Sequence, residues 1–101
     1  MFIAMNRFQI HQAQEQAFID VWRDRESFLD QVPGFVSFNL LKGASDNHIT
    51  LFSSHSVWQD RQAFSAWTQS EAFRKAHANA GQSRDELYAG PSSLELFDSV
   101  L

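Results

Sequence analysis

The chain contains no cysteine, which excludes a disulfide framework, a thiolate metal site and a cysteine nucleophile. Four His and twelve Asp and Glu are therefore the side chains left for metal ligation. No apolar run approaches the roughly 18 residues of a membrane span. The 8 Lys and Arg form no basic run and the net charge is −4, so neither nucleic acid nor an anionic membrane is an expected partner. The opening MFIAMNRF lacks a basic n-region, a long apolar stretch and a small-residue cleavage site, so cytoplasm is the expected compartment. Aromatic side chains, by contrast, are plentiful. Ten Phe, three Trp and one Tyr within a 44% hydrophobic composition exclude a disordered chain. A length of 101 residues predicts one domain over 1–101, with no room for a separate cofactor domain.

Residues 2–10 alternate, placing Phe2, Ala4, Asn6, Phe8 and Ile10 on one strand face and Ile3, Met5, Arg7 and Gln9 on the other. From about Ala13 to Leu29, apolar residues spaced three or four apart predict an amphipathic helix, broken by Val32-Pro33-Gly34. Residues 35–42 and 48–56 read as strands flanking GASDN as a turn of about five residues. Ser56-x-x-Gln59 has capping-box form and predicts a second helix from near Trp58. Thr68-x-x-Glu71 is another such box, so a kink or fresh start is expected there, followed by a third helical segment to about Asn79. Residues 81–92 read as a loop, and Leu94, Leu96 and Val100 mark a last strand. The order β-α-β-β-α-β predicts an α+β, ferredoxin-like antiparallel sheet with helices on one face. Apolar neighbours such as Leu51-Phe52 imply that the second sheet face is also covered, most simply by a second copy in a homodimer.

Three residues stand out. Asn6 is polar on the apolar face of its strand, and a buried amide left unpaired costs about 1–3 kcal/mol, so it serves either a core partner or a ligand. Trp67 closes the run AFSAW, where core packing is the ordinary role. His77, flanked by Ala76 and Ala78, has room to meet a large flat ligand, or it simply complements a helix C-terminus. On one straight helix Trp67 and His77 would lie about 15 Å apart along the axis and about 80° apart around it. Only a break near Thr68 lets both line one pocket. His11, His48 and His55 read as structural or solvated, and the spacing of Arg7, Arg23, Arg74, Lys75 and Arg84 selects none of them for an anionic group.

The segments MFIAMNRF, VPGF, ITLFSSHSVWQDRQAFSAW and SEAFRKAHANAG together resemble the antibiotic biosynthesis monooxygenase superfamily, and within it the IsdG-type heme-degrading monooxygenases. The resemblance spans nearly the whole chain. It implies a dimeric α+β barrel built from two ferredoxin-like sheets. It also implies that His77 is the proximal iron ligand, that Asn6 donates a hydrogen bond on the oxygen side, and that Trp67 presses on the porphyrin. Heme would be both cofactor and substrate, opened by O2 with iron released. With no flavin or nicotinamide motif in the chain, electrons would come from a separate reductase as external reductant. Two other functions remain open: a heme storage or sensing module, and a cofactor-free oxygenase of the same superfamily acting on an aromatic substrate.

Overall fold

The computed structural model describes residues 1–25, 29–70, 73–74 and 85–101. Strand β1 (Phe2–His11) follows the alternation: Phe2, Ala4, Phe8 and Ile10 are buried, and Asn6 is half-buried between them. β1 pairs antiparallel with β3 (Ile49–Trp58) on one side and with β4 (Ser93–Asp98) on the other, and β2 (Phe35–Asp46) pairs with β3. The resulting sheet order, β2-β3-β1-β4, is that of the expected ferredoxin-like plan.

Helices α1 (Glu15–Asp24) and α2 (Arg61–Thr68) both pack on the even-numbered face of β1 and β3. Phe18 of α1 is fully buried, its ring 5.4 Å from Phe8 and 5.0 Å from Phe52. Burying one such side chain contributes about 1.5–3 kcal/mol, which accounts for a helix only ten residues long. A second cluster joins Phe2, Leu29 and Trp58 to Phe64 and Trp67 of α2. The opposite face carries Ile3, Met5, Leu51 and Val57 near its centre, with Leu41 and Phe97 more exposed toward its edges.

Several boundaries differ from the sequence expectation, each for a local reason. α1 is preceded by a 3₁₀ turn at Gln12–Gln14 and ends at Asp24, where Arg25 turns to extended backbone. The GASDN turn is not formed. Strand pairing continues through Ser45 and Asp46 with an irregularity after Lys42, and the chain reverses at Asn47 and His48, both at positive φ (53° and 64°). Two successive left-handed residues match the twist of a two-residue hairpin, and Asn is among the few residues that adopt that conformation readily. The box at Ser56 is not a cap either: β3 runs on to Trp58, and Asp60 caps α2 by accepting from the Ala63 N–H at 2.8 Å. Ser56 instead accepts from Trp58 Nε1 at 3.0 Å and donates to the Ala4 carbonyl. Within 81–92, Leu87 is buried and Tyr88 bridges to Ile10, so part of the expected loop belongs to the core. β4 ends before Val100, which is exposed.

Gly34, in the turn between the first helical region and β2, has φ +85°, and a Cβ there would collide with that of Ala63. Its carbonyl accepts from the Gln59 N–H at 2.8 Å, tying the turn to the start of α2.

Glu15 anchors α1 to the β2–β3 hairpin. It accepts from Lys42 Nζ at 2.7 Å and from the Thr50 hydroxyl, which lies 2.7 Å from Ser45 Oγ. The Lys42 contact first, and then Thr50, hold its carboxyl below the ordinary value of 4.5. A depressed carboxyl stabilises the fold above its unfolded pKa, and that contribution is lost as pH falls through the folded value. Urea midpoints of wild type and Glu15→Gln should therefore differ at pH 7 and converge as the pH is lowered toward about 3.

Candidate active site

The helix-facing surface of the sheet does not fill completely. Between it and the two helices lies a cavity of about 430 Å³, within the range of small-molecule sites. Its floor is Asn6 and Ser54, directly opposed on β1 and β3, with Ala4 and Ser56 beside them. Opposed antiparallel residues put their side chains on the same face, so the hydroxyl of Ser54 and the amide of Asn6 are immediate neighbours. Asn6 Oδ1 is enclosed and accepts no hydrogen bond among the described residues.

The walls are aromatic. Trp22 from α1 stacks on Phe38 of β2 (5.6 Å, 22° between planes), and its enclosed Nε1 also has no partner among the described residues. Trp67, near the end of α2, packs on Trp58 at 5.2 Å and on Phe73 at 4.8 Å, edge to face. Phe64 and Leu29 complete this side. Trp67 lines the cavity one residue before α2 stops at Thr68, where the Thr-x-x-Glu pattern placed a break. The capping atom there is Ser70 Oγ, which accepts from the Phe73 N–H at 3.1 Å, while Thr68 Oγ1 donates back to the Ser65 carbonyl.

Asn6 and Trp67, singled out separately in the sequence, thus line one cavity. His77 lies outside the described residues, as do Lys75 and Arg84. Arg7 is on the other sheet face, paired with Glu95, and Arg23 pairs with Asp20 at 2.7 Å on the exposed side of α1. Among the described residues the cation at the cavity is Arg25, which the sequence reading passed over. Its guanidinium lies over the Trp22 ring at 4.0 Å, and burial pushes its pKa below the ordinary value while Tyr88 acts in the opposite sense. An arginine half-withdrawn from water and fixed against an indole face is placed to meet an anion. The sequence carried no signal for it, since an arginine among charged neighbours within the helix expected to Leu29 is ordinarily a solvated charge.

His55 sits on the face away from the helices, opposite Met5, and His11 and His48 are exposed at the hairpin end. None of the three approaches the cavity. No group of three or more His, Asp or Glu suited to a metal occurs among the described residues.

The antibiotic biosynthesis monooxygenase family model matches residues 1–79, and the chain belongs to that family. It is similar to a heme-degrading monooxygenase of Shouchella clausii, 27% identical over 75 residues, which cover 74% of this chain and 68% of the relative. Among solved structures it is similar to MhuD of Mycobacterium tuberculosis, a heme-degrader with two hemes bound in its active site. That match has a TM-score of 0.70 and 24% identity, covering 100% of this chain and 97% of MhuD. It is also similar to SnoaB, a cofactor-independent oxygenase of Streptomyces nogalater. Here the TM-score is 0.63 and the identity 27%, with 97% and 91% of the two chains covered.

Proposed function

We propose that the protein is a heme-degrading monooxygenase whose cavity between sheet and helices receives heme as both substrate and cofactor. The observation that carries this reading is the composition of the cavity. Aromatic walls from Trp22, Phe64, Trp67 and Phe73 surround an amide whose oxygen has no partner among the described residues, with a guanidinium at the side. The aromatic walls suit a flat conjugated ring, the Arg25 guanidinium suits its carboxylates, and Asn6 adds an amide N–H that can donate. The likeness to the Shouchella relative adds to it.

When bound, heme would supply the redox-active iron and the conjugated ring that is oxidised, with electrons from an external reductant, which this reading assigns to a separate reductase. The chain's own residues do the rest. His77 holds the metal through a neutral imidazole nitrogen. Asn6 would offer bound oxygen an amide N–H, a donor that is not a strong acid. Trp67, backed by Trp58 and Phe73, presses its indole against the ring. Arg25 pairs with a carboxylate of the ligand and holds it in register. The face bearing Ile3, Met5, Leu51, Val57 and Phe97 pairs with a second copy, giving a homodimer with one site per subunit.

A second reading, oxygenation of an aromatic substrate without a cofactor, is favoured by the 27% identity to SnoaB. Hemin titration separates the two. A shifted Soret band is expected with wild type, an altered axial-ligand spectrum with His77→Ala, and loss of the band when ascorbate is added with catalase present. The same sample should scatter light as twice the 11.6 kDa chain. Hemin that never binds would leave the cofactor-free reading. Hemin that binds and is never consumed with any reductant would mark a storage or sensing module.

A further inference from the structure

β3 carries three serines close together, and they have different fates. Ser53 faces away from the helices and donates to the Ser54 carbonyl at 3.2 Å. Ser56 is committed to Trp58 Nε1 and the Ala4 carbonyl. Ser54 lies on the cavity floor, and its hydroxyl makes no hydrogen bond among the described residues. It is a half-buried hydroxyl at the centre of a sheet, on the face where its strand neighbours Phe52 and Trp58 are fully buried. That hydroxyl is not among the enclosed unpaired atoms, so it stays open to the cavity and free to bond to whatever occupies it.

The residue directly across from it is Asn6, whose amide is likewise uncommitted. Two neighbouring side chains on one floor, each with spare hydrogen-bonding capacity, form a two-point station. An amide supplies an N–H donor and a hydroxyl can donate or accept, so together they suit a small ligand atom rich in lone pairs.

We propose that Ser54 is a ligand-facing residue that acts beside Asn6 as a second hydrogen-bond donor to a small anionic or oxygen-bearing group bound on the floor side of the cavity. The proposal rests on the heme reading, and its test keeps the two apart. Fluoride is the probe, because it binds ferric heme and accepts hydrogen bonds. With hemin-loaded protein, Ser54→Val should weaken fluoride binding by about fivefold or more, the scale of one lost hydrogen bond to a charged acceptor. Ser54→Thr, which keeps a hydroxyl at nearly the same volume as Val, should stay within about twofold of wild type. The ligand-free proteins give a reading independent of heme: Ser54→Val should melt at the same temperature as wild type or higher, since a group retained for a ligand does not hold the fold together.

Fluoride binding unchanged in Ser54→Val, with wild type binding hemin, would overturn the proposal and leave the heme reading standing. A lower melting temperature in both Ser54→Val and the smaller Ser54→Ala would also overturn it, by making the hydroxyl structural. Failure of wild type to bind hemin at all would overturn the heme reading and the proposal with it.

Discussion

Asn6→Ala should leave hemin affinity within about tenfold of wild type and lower single-turnover heme decay by about a hundredfold or more, the scale seen when one preorganised donor to developing charge is removed. The two effects separate because the cavity's ligand-holding surfaces lie elsewhere. Trp22, Phe64 and Trp67 form the walls and Arg25 supplies the cation, and their ring contacts include those with Phe38, with Trp58 and with one another. Asn6 accounts for little of the fold's stability, since its enclosed oxygen has no partner among the described residues. Removing it relieves a desolvated group and leaves a small cavity, terms of opposite sign. Melting temperature is therefore expected to change little while turnover collapses. The measurement is hemin titration followed by decay of the Soret band with ascorbate and catalase. Wild-type decay in Asn6→Ala would end the assignment.

Asn6 was legible because strand alternation is a strong signal: an amide flanked by Ala4 and Phe8 on a period-two face can only point toward the helices. The break after Trp67 was legible for a similar reason, since polar capping residues interrupt an apolar helical pattern, although the capping atom belongs to Ser70 and not Thr68. What local patterns could not resolve were contests decided by tertiary contacts. Ser56 and Asp60 both offer a cap, and Asp60 prevails because Trp58 is fully buried at the end of β3 and keeps the chain extended through it. Gly43 invited a turn, yet the reversal falls on Asn47-His48, because the pairing of Ser45 with Thr50 is held through the Glu15 contacts contributed by α1. Leu87 and Tyr88 sit among turn-forming residues, and only their packing against Phe8 and Phe18 shows that they belong to the core. Arg25 and Ser54 were invisible for a related reason: what distinguishes each is a neighbour distant in sequence.

Trp67→Ala should lose both stability and turnover while retaining hemin binding. The indole is wedged between Trp58 and Phe73 and lies 6.1 Å from Phe64, so its removal strips contacts from the second core cluster. Full truncation of a buried Trp or Phe costs about 3–5 kcal/mol. Trp67 is only half-buried, facing the cavity on one side, and a loss of about 2–3 kcal/mol is expected from chemical denaturation. Hemin affinity should hold or rise, because an indole pressing on a flat ring spends binding energy on distortion that the smaller side chain no longer demands. Turnover should fall by about tenfold or more, since that distortion directs oxidation to the ring itself. Trp67→Phe distinguishes bulk from chemistry: it keeps a ring between Trp58 and Phe73 and should recover most of the stability and part of the turnover. If Trp67→Ala instead degrades heme at the wild-type rate despite its lower stability, Trp67 is a core residue that merely borders the cavity, and the pressing role passes to another wall residue, with Trp22 the next to test.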